Sequence, residues 1–599
     1  MSEQGGNGMK PGNGGNGKGK AQAQKAAAAQ PGEVADGAGE PAGGRVGGEA
    51  QALGYEQRRG VRAGWGRYLV APRPLALLAG GVPPIDASAL FKLLEEDPDV
   101  EPLAQLRPSR SRSLGAIAEP YPACPPVAVV AMPEERARAL AGNPQVVVEI
   151  DQPLSYTPAP PVGGMGTAVP VIDPMLAVTL EEPEQLTLQV KGSDGKTVAG
   201  AHVWAIGTGG PVHGTTGPDG RVTMTLAADT PETLQALYVR PVAGYWPART
   251  ARPQPAGNGQ EMVVEVQALA DTFEGFPGKA LTGWGAQAMR LNQIPPTYRG
   301  HGIKIALLDS GVNTAHPDLK DTVKHGHDFT GAGNGTWGVD VTGHGTWCAG
   351  IIAAKDNNAG ITGIAAEAEL HALKLFPGGH LSDLLEAVDY CITHDIDIAQ
   401  ISLAYPVPSQ LAAWKLADAH AAGITVIAPA GNTTGPLTHP ATLPGVLAVG
   451  AIAHTGTHPT SSPLTAVQPP WPGPYPAPFT PTGPGVDLVA PGAAVITTAL
   501  GDGYTPADGT AIAAAHVTGL AALLLAHHDY LRTQVMPRIP ARANHLYTLL
   551  RTACRPLPSA DPRLGAGIAD APTALGIPHA WQQDYQAEAY ASAGPYRQG

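Results

Sequence analysis

The sequence predicts an α/β fold for its C-terminal half, preceded by two smaller domains. Between residues 273 and 577, β-branched apolar runs such as IKIALLD, IDIAQISLA and GITVIAPAGN alternate with alanine-rich stretches of helical character. This alternation is typical of a parallel sheet covered by helices on both faces. Because the carboxyl ends of parallel strands meet at one edge of the sheet, we expect reactive side chains there.

The chain has 599 residues, which at about 150 residues per domain suggests three or four units. The first sixty or so residues contain too few large apolar groups to offset the entropy of ordering. Shifts in composition predict a disordered leader at 1–62, an α+β domain at 63–157, a Pro/Gly-rich linker at 158–175, a small β-sandwich at 176–270, the α/β domain at 273–577 and a C-terminal tail at 578–599.

Strands and helices alternate in the predicted α+β domain. RYLVAP, PPVAVVAM and QVVVEID have the apolar character of strands. FKLLEED and PEERARALAGNP have the pattern of helices, and the second is expected to end near Gly142. A small sheet with helices follows from this order.

The predicted β-sandwich consists of short apolar or alternating segments, such as LTLQV, AHVWAI and RVTMTL, separated by GSDGK and GPDG turns. From Leu186 to Leu226 it resembles the transthyretin-like and carboxypeptidase-regulatory modules, in which GAxVxA precedes such a turn. Its sequence suggests no catalytic constellation. We therefore interpret it as a spacer or docking module.

Composition and charge exclude several classes of protein. The net charge is -13 and the basic residues form no extended face, so we expect no nucleic-acid partner. No stretch offers about 18 uninterrupted apolar residues, and we expect no membrane span. Four cysteines without a CxxC pair favour reduced thiols. Because the first fifty residues also lack the apolar core of about 7–15 residues in a secretory signal, a cytoplasmic location is expected.

Two motifs place catalytic side-chain types in the α/β domain. The strand IKIALLD ends in Asp309-Ser310-Gly311, where the glycine permits a sharp turn that directs the carboxylate into a cleft. Further along, Gly343-His344-Gly345 begins a predicted helix. The imidazole can accept a proton near neutral pH.

These motifs, in this order, resemble those of the subtilase family of serine proteases. The resemblance covers about 300 residues and implies a parallel-sheet peptidase fold that hydrolyses peptide bonds of polypeptide substrates. It extends to four further motifs, APAGN at 428–432, DLVAPG at 487–492, GTAIAAAHVTG at 509–519 and GAGIADA at 565–571.

The resemblance assigns roles to four catalytic positions. Asp309 is expected to orient His344, which acts as the acid and base. Asn432 and the backbone amide of Ala511 are expected to form the oxyanion hole, where one donor typically contributes ~10²–10³ in turnover.

The same resemblance predicts the substrate-binding residues. Ser402, Leu403 and Ala404 are expected to pair with the substrate backbone by strand addition, with Ala430 and Gly431 on the opposite wall of the pocket. Ala404 replaces the usual glycine, and its methyl group narrows the pocket. Because neither wall carries a charge, we expect a small or moderately sized apolar side chain before the cleaved bond.

Ala511 stands where the family has its nucleophilic serine. Alanine has no oxygen to attack a carbonyl, so the chain as written is expected to form no acyl-enzyme. One interpretation is a serine endopeptidase inactivated by an engineered Ser-to-Ala change, which the otherwise intact site favours. The alternative is a natural pseudoprotease that binds peptides as a scaffold, which the departures at Trp347, Ile512 and Ala515 favour.

The segment from Val129 to Tyr156 resembles the closing half of a subtilase propeptide. This implies that the protease domain has its own propeptide as a partner, with the tail from Gln152 to Tyr156 leading into the cleft. Processing is expected either near Tyr156 or before Phe273. Calcium is common in the family, but DNNAGITGIA looks shortened relative to the usual metal loop and no carboxylate cluster is evident, so we assign no metal or cofactor.

Overall fold

The computed structural model describes residues 62–107, 122–155, 183–254, 261–331, 333, 335–533, 537–557 and 561–578. The predicted leader up to residue 61, the predicted linker, Tyr156 and the tail beyond residue 578 lie outside this part of the chain.

Within residues 62–107 and 122–155, the α+β domain forms a four-stranded sheet with two helices. Its elements are β1 (Gly66–Pro72), α1 (Ala87–Glu96), β2 (Glu101–Leu106), β3 (Val127–Met132), α2 (Glu134–Ala141) and β4 (Val146–Ile150). The sheet order is β2-β3-β1-β4, with β1 antiparallel to both of its neighbours. Alternate residues of β1 face opposite ways: Val70 packs with Leu90 of α1, whereas Leu69 joins the core of the α/β domain.

The described part of the β-sandwich has seven strands in two sheets around one core that includes Leu188, Val203 and Leu237. The sheets have the orders β10-β9-β6-β7 and β11-β5-β8. The strands are β5 (Glu184–Gly192), β6 (His202–Ile206), β7 (Pro211–Thr215), β8 (Arg221–Leu226), β9 (Ala236–Arg240), β10 (Ala248–Ala251) and β11 (Met262–Val266).

The C-terminal domain has the predicted α/β class. Its main sheet has the order β13-β14-β12-β15-β16-β17-β18, with β19 also on β17, and every pair except β17-β18 is parallel. The strands of this sheet are β12 (Lys304–Asp309), β13 (Val323–Asp328), β14 (Glu369–Lys374), β15 (Ile398–Ile401), β16 (Thr425–Pro429), β17 (Val446–His454), β18 (Pro474–Pro476) and β19 (Leu488–Pro491). Strands β20 (Val495–Thr498) and β21 (Tyr504–Ala507) form a separate antiparallel pair.

Helices cover both faces of this sheet. Ile305 and Leu307 of β12 share a core with the helices of one face, and Ala306 and Leu308 share a second core with those of the other. The helices are α3 (Leu269–Thr272), α4 (Trp284–Ala288), α5 (His344–Ala353), α6 (Leu381–Thr393), α7 (Gln410–Ala421), α8 (Thr510–His527), α9 (Asp529–Thr533), α10 (Pro540–Thr552) and α11 (Ala571–Ala574). Helices α5 and α8 belong to the first core, and α6 and α7 to the second.

Within the described residues, α8 is long and apolar enough to cross a membrane by length and composition alone. It lies in the centre of the first core, and 89% of this segment is buried inside the protein. Burial in the core therefore accounts for its apolar sequence.

Candidate active site

Asp309 and His344 form a buried hydrogen-bonded pair at the carboxyl edge of the sheet. Asp309 is the last residue of β12, and His344 is the first residue of α5. The imidazole Nδ1 lies 2.8 Å from Oδ1 and 2.9 Å from Oδ2 of the carboxylate, and both residues are 1% exposed. A carboxylate at Nδ1 holds the proton there, which makes Nε2 the basic nitrogen.

The turn after Asp309 is fixed by its own backbone and by α5. The N–H of Ser310 donates to Asp309 Oδ1 at 2.7 Å, and the Ser310 hydroxyl accepts from the N–H of Gly345 at 2.9 Å. A Cβ atom on Gly345 would lie 2.0 Å from the carbonyl oxygen of Gly311. The glycine beside the histidine is therefore required by the close approach of the aspartate turn.

Asp340 is a buried carboxylate that the sequence analysis did not identify. Its Oδ1 accepts from the N–H groups of Thr342 and Gly343, each at 2.9 Å, and from the Ser310 hydroxyl at 3.0 Å. Its Oδ2 accepts from the N–H and hydroxyl of Thr346 at 3.0 and 2.7 Å. Asp340 thus holds the start of α5 to the aspartate turn, and a carboxylate at a helix start is a signal that the sequence contains.

Asn432 follows β16, 5% exposed, and is tied to the start of α8. Its amide oxygen accepts from the N–H of Thr510 at 2.8 Å and from the Thr510 hydroxyl at 3.0 Å. These bonds assign the oxygen of the amide and leave Nδ2 as its donor side. The Thr510 hydroxyl also donates to the carbonyl of Gly431 at 3.0 Å, so the two segments form one rigid corner.

Ala511 lies at the first turn of α8, 3% exposed, beside a small cavity. The lining of this cavity includes Ser402, Leu403, Ala404 and Gly431 of the predicted substrate-binding set. The complete lining is Ser155, Ser402, Leu403, Ala404, Pro429, Gly431, Asn432, Thr438, Thr510 and Ala511. Ala430, also predicted to bind substrate, is fully buried in the core and does not line the cavity.

Cys348 connects the Asp309–His344 pair to Ala511. Its sulfur lies 3.8 Å from the carbonyl oxygen of Ala511, and its thiol, the Asp309 carboxylate and the His344 imidazole lie within 4.8 Å of one another. Burial raises the pKa of the thiol well above its ordinary value, so the sulfur stays protonated. A neutral thiol beside a carboxylate and imidazole already bonded to each other is a poor donor set for a metal ion.

Asp318 lies against the DNNAGITGIA segment. Its Oδ1 accepts from Nδ2 of Asn357 at 2.8 Å, and its Oδ2 accepts from the Tyr504 hydroxyl at 2.8 Å and from the N–H of Ile361 at 3.3 Å. Calcium requires oxygen ligands, whereas N–H groups of the protein point at this carboxylate. The arrangement around Asp318 does not fit a calcium site.

The end of the α+β domain lies in the cleft as an extended strand. The N–H of Leu154 donates to the carbonyl of Gly379 at 2.9 Å, before α6. On the other side, Ser155 and Ala404 exchange two backbone hydrogen bonds, at 2.9 and 2.8 Å. Leu154 and Ser155 therefore bridge two segments of the α/β domain, and Ser155 reaches the cavity at Ala511.

Two carboxylates of the α+β domain lie at helix starts of the α/β domain. Glu149 accepts from the N–H of Gln410 at 2.8 Å at the start of α7 and from the Ser409 hydroxyl. Asp151 accepts from the N–H and hydroxyl of Ser382 in α6, at 2.8 and 2.9 Å. The N–H groups and the dipole of each helix start favour a negative charge there, although burial raises the pKa of Glu149.

Sequence comparisons place this site in a known family. A profile of the Subtilase family matches residues 300–567, which include the Asp309–His344 pair, Asn432 and Ala511. Subtilisin of Bacillus pumilus is 31% identical over 258 residues, which are 42% of this chain and 86% of that protein. The chain belongs to the subtilase family.

Two further subtilases give the same result. Subtilisin Savinase of Lederbergia lenta is 34% identical over 249 residues, covering 40% of this chain and 83% of the relative. Subtilisin E of Bacillus subtilis (strain 168) is 31% identical over 258 residues, and here the chain spans 62% of the relative's length. The β-sandwich lies outside the residues matched by the subtilase profile.

Proposed function

We propose that this subtilase has the active site of a serine endopeptidase except for the nucleophile, and that the chain with Ala511 binds polypeptides without cleaving them. One observation carries the proposal: Cys348 contacts both the buried Asp309–His344 pair and Ala511, and Ala511 lines a cavity that also contains Ser155, paired as a strand with Ala404. A histidine with its Nδ1 proton bonded to a carboxylate has Nε2 as the base that a hydroxyl nucleophile needs.

With a serine at position 511, its hydroxyl would attack the peptide carbonyl while His344 takes the proton and later gives it to the leaving amine. Asp309 holds the tautomer and stabilises the imidazolium that forms. The Asn432 amide and the N–H of residue 511 would donate to the oxyanion. The methyl group of Ala511 cannot attack a carbonyl. The chain with Ala511 therefore retains at most the ~10³–10⁴ acceleration over water that the oxyanion hole and substrate binding supply.

We propose that substrates bind as an added strand along Ser402 to Ala404. The pairing of Ser155 with Ala404 supports this, since it uses backbone groups that any extended polypeptide carries. The α+β domain would then be an inhibitory propeptide, because its tail fills the place of a substrate. Free cysteines at Cys124, Cys348, Cys391 and Cys554 support our proposal that the protein works in a reducing compartment, the cytoplasm.

A peptide-binding pseudoprotease is the second candidate. Ala511 itself favours it, and the strand pairing at Ala404 requires no nucleophile. It predicts saturable binding of extended peptides to this chain once the propeptide has been removed. A serine at position 511 in the native gene would eliminate this candidate.

Restoring the hydroxyl tests the first candidate. Ala511→Ser, freed of its propeptide, is expected to hydrolyse a fluorogenic peptide, and Ala511→Ser combined with His344→Ala is expected to lose that activity by a factor of ~10⁴ or more. If the serine variant folds, binds peptides and hydrolyses none, the endopeptidase proposal is wrong and the scaffold candidate stands.

A further inference from the structure

A residue of the β-sandwich packs in the core of the α/β domain. Trp246, between β9 and β10, is 1% exposed and packs in the same core as Leu269 and Phe276. Its indole N–H donates to the Thr272 hydroxyl at 2.8 Å. The two domains are further joined by a backbone hydrogen bond of 2.8 Å from Gly244 to the carbonyl of Tyr504, and by a second one of the same length between Arg249 and Ser461.

A contact from the sandwich reaches the helix of the candidate catalytic histidine. Arg240 is the last residue of β9, and its guanidinium carbon lies 5.0 Å from the ring centroid of Trp347 in α5. Trp347 in turn lies edge-on to the His344 imidazole, with ring centroids 5.9 Å apart and an interplanar angle of 64°. Arg240, Trp347 and His344 thus form a continuous line of contacts.

The indole is the electrostatic partner of this guanidinium. Arg240 Nη2 is buried and has no hydrogen-bond partner among the residues that the structure describes. Asp508 lines the same interdomain cavity, but its Oδ1 accepts from the N–H of Ala494 at 2.7 Å. Burial of Nη2 removes part of the guanidinium from water, and a cation is attracted more strongly to an indole face when it is partly desolvated.

Trp347 is also restrained by α5 and by the hairpin that follows β19. A Cβ atom on Gly343 would lie 3.2 Å from the indole nitrogen, so the ring packs closely on the residue before His344. The carbonyl of Trp347 accepts from the Thr497 hydroxyl at 2.7 Å. With Gly343 on one side and Arg240 on another, the indole has little freedom to move away from the imidazole.

We propose that Arg240 is a positioning residue that holds Trp347 against His344. The β-sandwich would then contribute to catalysis by positioning the histidine, and would not be only a spacer. The inference rests on the endopeptidase function proposed above. It joins Trp347, which lies within the matched residues 300–567, to Arg240, which lies outside them.

The kinetic test uses the full chain with Ala511→Ser, after propeptide removal. Arg240→Met is expected to lower kcat about three- to tenfold, with KM for a short peptide changed less than twofold, because the histidine and not the substrate site is disturbed. Arg240→Lys keeps a cation and is expected to recover part of the loss. Arg249→Met is the matched control, since Arg249 bonds to the ring hydroxyl of Tyr238 within the same sheet and is expected to change neither constant.

A measurement without catalysis separates this inference from the endopeptidase proposal. In the Ala511 chain, the imidazole proton resonances of His344, assigned by comparison with His344→Gln, are expected to shift in Arg240→Met and to stay in place in Arg249→Met. If the serine variant is inactive, the endopeptidase proposal fails while these resonances still report the contact. Unchanged resonances, or an unchanged kcat in an active parent, would overturn the positioning role.

A double-mutant cycle with Trp347→Phe and Arg240→Lys tests the contact even if Arg240→Met does not fold. Trp347→Phe keeps an aromatic ring but weakens the interaction with the cation, so it is expected to lower kcat by a similar factor on its own. Combined with Arg240→Lys, the losses in kcat are expected to be less than multiplicative because both changes break one contact. If the two substitutions lower kcat independently, so that their effects multiply fully, the proposed positioning of Trp347 by Arg240 is contradicted.

Discussion

Ser155 and Ala404 face each other as an antiparallel pair, each donating its backbone N–H to the carbonyl of the other. Because the pair lies at the cavity beside Ala511, a segment of the α+β domain occupies the position proposed for a substrate strand.

The first prediction concerns processing. In Ala511→Ser, mass spectrometry is expected to find a new amino terminus either near Tyr156 or before Phe273. The position of Ser155 at the cavity that Ala511 also lines favours the first window. The packing of Trp246 in the core of the α/β domain is expected to keep the sandwich bound to that domain after either cut. An uncut chain with full activity contradicts the inhibitory role of the tail.

The second prediction concerns the carboxylate on α7. Glu149→Gln removes a charge that accepts from the helix N-terminus and is expected to weaken docking of the α+β domain by about 1 kcal/mol. Hydrogen exchange at the N–H of Ser155 in the full chain is expected to accelerate roughly fivefold. Glu134→Gln is the control, since Glu134 is exposed on α2 and pairs only with Arg138 among the described residues. Equal acceleration in both variants would reject the docking role of Glu149.

The third prediction concerns specificity. Ala404 and Gly431 line the cavity without a charged neighbour in its lining, so Ala511→Ser is expected to favour small or moderately sized apolar side chains before the cleaved bond. Ala404→Gly is expected to widen the range toward larger residues. A peptide library compared between the two proteins measures this. A parent that already prefers aromatic or basic residues, with no change in the glycine variant, contradicts the pocket assignment.

The fourth prediction concerns pH. His516 is buried in α8 with its Nδ1 2.9 Å from the carbonyl of Ile512, and burial lowers its pKa to about 4. The unfolded chain binds this proton below about pH 6.5, whereas the folded chain binds it only near pH 4. The free energy of unfolding is therefore expected to fall as the pH drops from about 6.5 to 4, by up to about 3 kcal/mol from this residue.

Urea unfolding of the Ala511 chain at pH 7.5 and pH 4.5 measures this effect. His516→Gln removes the titrating group and keeps an N–H donor for Ile512, so its loss of stability between the two pH values is expected to be smaller by about 2 kcal/mol. His301→Gln is the control, because the His301 side chain is 86% exposed. An identical pH response in His516→Gln and the parent contradicts this account.

Much of the site could be predicted because its residues lie at the ends of strongly patterned strands. Parallel strands bring Asp309 and Asn432 to one edge of the sheet, and the helix pattern after Gly343 places His344 beside them. Strands with weak patterns were missed. Strand β2 contains Pro102 and is mostly exposed, and β7 (PVHGT) contains no continuous apolar face.

Long-range contacts could not be read from the chain. Asp340 precedes a glycine-flanked histidine and could have been taken for a helix-start carboxylate, but its bond to the Ser310 hydroxyl depends on the folded sheet. Arg240 and Trp347 are more than a hundred residues apart, and neither belongs to a pattern that predicts the other. Ala430 was assigned to the pocket wall from its neighbours in the motif, whereas it is buried in the core behind that wall.

Covalent labelling at position 511 tests the central claim most directly. Ala511→Ser, freed of its propeptide, is expected to gain the mass of one fluorophosphonate adduct, located on residue 511 by peptide mapping. The same protein with His344→Ala is expected to label at least a hundredfold more slowly, because no base takes the serine proton. A folded, propeptide-free serine variant that acquires no adduct would contradict the assignment of Asp309, His344 and position 511 as a catalytic set.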